Sequence, residues 1–287
     1  MNTTPNAWPL RQLMRPATLP VTAVACLLGI AIAAACGHGP RPLSAIATVV
    51  LACLAHAAGN ALRASHGDVT PTPDPATARQ ARELAVALGF FAAGFGLLLA
   101  VKSTGYVILF GAAGLLLAWA YAAAPLRLAQ RGLGTLVAAV VWSLVVIGAD
   151  AVQRGTVFII PVVTSVSYAL LVACLHLATA FDTTQDAPAG SGPRTVRRLG
   201  RHGTALLYLL LSTAAHLWLA GGVALLYQPE PACWGLISWP VSLAAGILFW
   251  RPRRPSATQP PAIALSGLAL LLHGVAMAAG FWSLRAV

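Results

Sequence analysis

Long apolar runs, most of them near the length of a bilayer crossing, alternate with short polar breaks over almost the whole chain. About 20 apolar residues suffice to cross a bilayer as a helix. The pattern predicts nine such helices, at about 19–36, 43–62, 83–101, 105–123, 135–152, 157–180, 204–227, 233–250 and 262–284. The short breaks CGHGPRP (36–42) and YQPEPAC (227–233) predict tight hairpins between antiparallel helices. Longer polar breaks lie at 63–82, 124–134, 181–203 and 251–261, and a segment 1–18 precedes the first span. The expected architecture is an all-α integral membrane bundle, with residues 1–287 forming one membrane-embedded domain.

Composition removes the soluble alternative. Apolar residues make up 58% of the chain, charged residues 9%, and mean hydropathy is +0.78, whereas a soluble domain carries roughly a quarter charged residues. Charge then orients the bundle. With the N-terminus cytoplasmic, 14 of the 18 basic residues fall on the inside: Arg11, Arg15, Arg63, Arg79, Arg82, Arg127, Arg131, Arg194, Arg197, Arg198, Arg201, Arg251, Arg253 and Arg254. The outside keeps only Arg41, Lys102, Arg154 and Arg285. The net charge of +11 thus reads as topology and contact with anionic lipid. It does not read as nucleic-acid binding, because the basic residues are spread over separate loops. The expected location is a bacterial inner (plasma) membrane. The first apolar span is longer than a signal-peptide core, so it reads as a helix that stays. Five cysteines, at 26, 36, 53, 174 and 233, contain no C-x-x-C pair and read as small packing residues.

Candidate chemistry concentrates in LVACLHLATAFDTTQDAPAGSGPRTVRRLGRH (171–202). Asp182 and Asp186 follow a membrane helix and stand four residues apart, which puts them on one face if the helix continues. Paired carboxylates can hold Mg²⁺, which accepts substrate phosphates as further ligands. Arg194, Arg197, Arg198 and Arg201 follow at once and could grip those phosphates through forked hydrogen bonds. The pattern suggests a membrane site for a lipid diphosphate.

Three stretches carry a resemblance: RPATLPVTAVACLLGIAIA (15–33), YAAAPLRLAQRGLGTLVAAVVWSLVVIGADAVQRG (121–155) and FDTTQD…GPRTVRRLG (181–200). They resemble the UbiA superfamily of intramembrane prenyltransferases, most closely the 1,4-dihydroxy-2-naphthoate polyprenyltransferases of menaquinone synthesis. The resemblance implies a nine-helix bundle with a central cavity opening toward the cytoplasmic side. It also implies two acidic motifs that bind Mg²⁺ and the diphosphate of a polyprenyl donor, and a small aromatic acceptor that attacks the allylic carbocation. The catalytic residues it implies are Asp182, Asp186, Asn60 and Asp68, with Asp182, Asp186 and Asp68 as metal ligands. The expected substrate-binding residues are Arg63, Tyr121, Arg127, Arg131, Arg194 and His176.

Departures from the family pattern weaken one half of that site. The first motif reads N-D-x-x-D-x-x-x-D in the family, and here it runs Asn60 to Asp68 with Ala61 and Ala64 at the two inner aspartate positions. Ala57 replaces an upstream Asn, Ala178 and Thr179 replace an Asn pair, Pro193 replaces a common Lys, and Thr135 replaces the Glu of an RGLGE pattern. Arg63 then faces the diphosphate region with fewer acids against it, and could donate to phosphate directly. Each candidate also has a plain reading. The arginines serve topology or headgroups, Tyr121 anchors at the interface, Asn60 and Asp68 end a helix and start a loop, and His56 and His176 pack inside the bundle. Asp150 and Arg154 read as a local i,i+4 pair. Two other functions stay open: a catalytically degenerate relative that binds or moves an isoprenoid or quinone lipid, and a diphosphate-ionising cyclase.

Overall fold

Prolines mark several of the helix starts. The computed structural model describes residues 10–66, 73–185, 194–250 and 261–286, and every regular element among them is helical. A short helix α1 (Leu10–Met14) and a 3₁₀ turn (Pro16–Thr18) lead into α2 (Leu19–Ala35). They are followed by α3 (Pro42–Ser65), α4 (Pro75–Lys102), α5 (Tyr106–Ala122), α6 (Gly134–Arg154), α7 (Ile159–Gln185) and α8 (Arg194–Ala224). A 3₁₀ helix (Glu230–Ser238), α9 (Trp239–Leu248), α10 (Pro261–Ser283) and a last 3₁₀ turn (Leu284–Ala286) complete the described chain. Among the described residues, eight helical stretches are long and apolar enough to cross a membrane. The ninth, α5, has 17 residues, the lower end of the spanning range of roughly 17–25. The chain is an integral membrane protein.

Three expectations from the sequence change in detail. The break expected at 63–82 is shorter, because α4 begins at Pro75. Asp74 caps it by accepting from the Thr77 amide at 2.7 Å, and proline at the first helical position lacks only an N–H that would be unpaired anyway. The break expected at 181–203 contains helix at both ends, since α7 runs on to Gln185 and α8 starts at Arg194. Gly200 interrupts α8 at φ 63°, a conformation that suits glycine, so Arg194–Leu199 forms a separate arm. The span expected at 233–250 is not one α-helix. Pro240 has no N–H for the carbonyl of Leu236, and that carbonyl accepts from Trp239 instead, in 3₁₀ fashion. Residues 10–18, before the first span, pack on the bundle. Leu13 is 1% exposed and packs with Ala64 of α3 and Ala81 of α4.

α2 is the most enclosed helix and packs on α6 and α10. Small residues permit the close approach, as is usual for membrane helices. A Cβ on Gly29 would run into the Val146 carbonyl oxygen and stand 2.8 Å from Ala149 Cβ and 2.9 Å from the Asp150 nitrogen. Two of these are backbone atoms of α6 that cannot rotate away. Gly29→Ala is therefore expected to destabilise the bundle by about 1–3 kcal/mol, read as a lowered melting temperature in detergent. An unchanged melting curve would contradict this packing.

Many polar groups inside the apolar spans find partners, as a low-dielectric interior favours, whereas Trp142 Nε1, Gln153 Nε2 and Asp150 Oδ2 have none among the described residues. Arg154 Nε stands 2.8 Å from Asp150 Oδ1, both side chains almost wholly buried, and Arg154 Nη2 also donates to the Ile32 carbonyl. The local pair expected from sequence thereby also ties α6 to α2. Tyr168 donates to the Val21 carbonyl at 2.6 Å. His216 and His273, which carry no role in the sequence reading, hold the 3₁₀ helix. His216 Nε2 lies 2.8 Å from Ser238 Oγ, and His273 Nδ1 lies 3.0 Å from the Gly235 carbonyl, so that nitrogen carries the proton. The five cysteines are free, with Cys26 and Cys174 buried. Large apolar side chains such as Phe90, Leu98 and Ile108 on α4 and α5 point outward, as suits a surface facing lipid.

Candidate functional site

The ends of α3, α5 and α7 and the start of α6 meet at one end of the bundle. Arg63 is in the last turn of α3, and its guanidinium carbon lies 5.1 Å from the centre of the Tyr121 ring, a cation–π distance. Tyr121 is the penultimate residue of α5, and its hydroxyl stands 2.7 Å from His176 Nε2 on α7. The second nitrogen of that imidazole, Nδ1, is 3.2 Å from the Thr135 hydroxyl at the start of α6. Residues 55 and 41 positions apart in sequence thus close on one histidine.

The RGLG block (131–134) shapes this junction. Gly134 lets α6 start against the pair: a Cβ there would stand 3.1 Å from His176 Cε1 and 3.2 Å from Tyr121 Cε2. Gly132 adopts φ +90° and accepts from Thr195 Oγ1 at 2.7 Å, which docks the Arg194–Leu199 arm on the loop. Ala129, Gly132, Gly134, Thr135, His176, Ala180, Thr195 and Val196 line a gap of about 10 Å³, around the size of one water. A larger ligand at this spot requires the arm and the loop to part.

The other sequence candidates fall around this core. Asp182 is half-buried on α7, six residues past His176, which is about 9 Å along the axis. Arg194 opens α8 exposed, with its Cβ next to Gly132. Arg127 and Arg131 are exposed in the 123–133 loop, and Arg131 donates to the Pro125 carbonyl at 2.9 Å. Asn60 is buried, and its amide nitrogen donates to the Met14 carbonyl at 3.1 Å and to Thr18 Oγ1 at 3.3 Å, tying the N-terminal segment to α3. His56 lies between the hydroxyls of Thr22 (2.7 Å) and Thr18 (3.3 Å) and meets Trp142 edge-on at 5.0 Å. Asp68 and Asp186 lie outside the described residues. The sequence reading did not weigh Thr195, Thr18, Thr22 or Trp142. It noted Thr135 only as a departure, yet a hydroxyl where the family pattern has an acid is a signal for a partner such as His176.

The donor set decides how much metal this end can hold. Among the described residues, no three His, Cys, Asp or Glu side chains cluster around a possible ion. Ala61 is fully buried and Ala64 is packed under Leu13, so the first motif offers no oxygen ligand at either position. Asp182 brings one carboxylate to this end of α7.

Neither a family model nor a curated protein matches the sequence. Solved structures do match the fold. A UbiA homologue from Aeropyrum pernix K1 superposes with a TM-score of 0.66 at 18% identity, covering 95% of this chain and 98% of its own. A UbiA homologue from Archaeoglobus fulgidus bound to GPP and Mg²⁺ gives a TM-score of 0.64 at 16% identity, covering 97% and 99%. A digeranylgeranylglyceryl phosphate synthase structure gives 0.64 at 12% identity, covering 96% and 98%. The likeness spans nearly the whole chain and is one of fold.

Proposed function

We propose that this chain is a UbiA-type prenyltransferase that moves a prenyl group from a polyprenyl diphosphate to a small aromatic acceptor in the membrane. The observation that carries the reading is the meeting of Arg63, Tyr121 and His176 at the end of the bundle where α7 brings Asp182. The fold it shares with a homologue that binds GPP and Mg²⁺ supports it. The resemblance to the 1,4-dihydroxy-2-naphthoate branch makes a quinone precursor of menaquinone type the first acceptor to try. The excess of basic residues at this end supports a cytoplasmic site and N-terminus in a bacterial inner membrane.

The chemistry divides between leaving group and acceptor. The allylic C1–O bond breaks, both electrons depart with the diphosphate, and the allylic cation then takes an electron pair from a ring carbon of the acceptor. That ring carbon afterwards loses its proton. Arg63 and Arg194 donate N–H bonds to the diphosphate oxygens, and the charge on Arg63 substitutes for part of what the first motif lacks. Mg²⁺ held by Asp182 and Asp186 would add positive charge to the leaving group. Tyr121 and His176 orient the acceptor beside the cation, with Thr135 holding the imidazole. Asp68, Arg127 and Arg131 line the approach in this reading, and Asn60 keeps the N-terminal segment seated over α3.

The test is an assay of the full chain in nanodiscs, with labelled prenyl diphosphates, Mg²⁺ and 1,4-dihydroxy-2-naphthoate. Prenylated product is expected. Arg63→Ala is expected to weaken donor binding by about 10–100-fold, and unchanged donor affinity would remove Arg63 from the site. A second reading is favoured by Leu13 packed on Ala64 and by the narrow gap beside His176: a relative that binds an isoprenoid lipid without ionising it. Mg²⁺ with a prenyl diphosphate would then raise the melting temperature while no diphosphate is released. Diphosphate release without acceptor-bound product would instead mark a cyclase.

A further inference from the structure

At the opposite end of the bundle, a cavity of about 510 Å³ opens between α2, α7, α8, the 3₁₀ helix Glu230–Ser238 and α10. Ile160, on its wall, lies sixteen residues before His176 on α7, about 24 Å away along the helix axis. The volume is within the roughly 300–1,000 Å³ of small-molecule sites. The wall is mostly apolar, with Ala35, Ile160, Val223 and Phe281 among its residues. Of the polar side chains in that lining, Gln228 alone is buried. Gln228 is 3% exposed, and neither its amide nitrogen nor its amide oxygen has a hydrogen-bond partner.

The backbone holds this amide in place. The amides of Tyr227 and Gln228 both bond to the Gly222 carbonyl, at 2.9 and 3.0 Å. Leu226 takes φ 62°, a left-handed conformation unfavourable for leucine. Gly222 lets the amide lie against α8, since a Cβ there would come within 2.8 Å of Gln228 Nε2. A paired donor and acceptor, fixed in an apolar wall, is costly to bury unless something satisfies both. Exposed Glu230 at the same cavity disfavours an anion. The complementary group is a neutral hydroxyl, which donates to the amide oxygen and accepts from the amide nitrogen, on an apolar tail that fills the rest.

We propose that this cavity binds an uncharged lipid alcohol, with its hydroxyl on Gln228 and its chain against Ile160, Val223 and Phe281. The site is separate from the Tyr121–His176 junction, and the proposal does not rest on the transferase reading. Straight-chain and isoprenoid alcohols share the required chemistry.

The test uses the full chain in nanodiscs with a diazirine-bearing hexadecanol and peptide mapping after illumination. Labelling is expected to concentrate on 223–230 and 281–284 and to be competed by unlabelled hexadecanol or geranylgeraniol, whichever chain fits better. Hexadecane and palmitate should not compete. Gln228→Leu is expected to reduce labelling about tenfold, the loss of two hydrogen bonds. Val223→Trp, which keeps the amide and fills the apolar part, should remove it, and it keeps the test decisive if Gln228→Leu fails to fold. Labelling spread evenly over the outward faces of α4 and α5, equal competition by hexadecane, or undiminished labelling in both variants would overturn the proposal.

Discussion

Asp182→Ala is expected to lower prenyl transfer by about 10²- to 10³-fold, the usual loss when one preorganised charge-stabilising group is removed from an active site. The carboxylate opens the acidic motif whose two aspartates both survive, and the first motif has alanine at positions 61 and 64. No second pair of acids can therefore share the load. Asp182→Asn should lose nearly as much, because it keeps the shape and removes the negative charge. Since Asp182 is half-buried at a helix end, both variants should melt close to the parent. Turnover of labelled donor in nanodiscs, at saturating Mg²⁺, reads the effect. Full activity in either variant would remove the metal role assigned to Asp182.

Ala64→Asp is expected to damage the protein, although it returns an acid to a position where the family pattern has one. Ala64 is 2% exposed and clusters with Leu13 and Ala81, with Leu84 packed against them. A carboxylate inserted there loses its water and meets apolar side chains. The expected cost is about 3 kcal/mol or more, seen as a large fall in melting temperature, with no gain in activity. Leu13→Ala in the same background should recover part of the loss, since residues in contact couple by about 0.5–3 kcal/mol. A stable and more active Ala64→Asp protein would mean that α1 does not hold this seat in the membrane.

Ala64 also shows why the site was only partly readable. Its substitution is plain in the sequence, but Leu13, the residue that fills the space, lies 51 positions earlier in a segment without a hydrophobic period long enough to interpret. The same holds for His176. Sequence marks it as a histidine within an apolar span, where a polar partner is required. Its partners Tyr121 and Thr135 come from two other helices, and no local pattern pairs them. The start of α4 was missed by the expected break at 63–82: Asp74 and Pro75 carry the signal of a cap and first turn, but the polar residues after them concealed a helix that projects beyond its apolar part. The break at Pro240 was likewise missed by the expected single span at 233–250, although a proline inside an apolar run signals it.

The sequence by itself determined that the chain is an all-helical membrane bundle, roughly where each helix lies, and which acids and arginines are available for chemistry. Those properties depend on local composition, because each helix satisfies its own backbone hydrogen bonds and apolar length alone decides its preference for lipid. Only the tertiary structure decided which polar side chains face one another. It put Arg63 over Tyr121, closed the RGLG loop on His176 and Thr195, seated Leu13 on Ala64, and left Gln228 unpaired in the wall of an apolar cavity. In an interior where water cannot satisfy a polar group, these pairings are set by the contacts between distant helices.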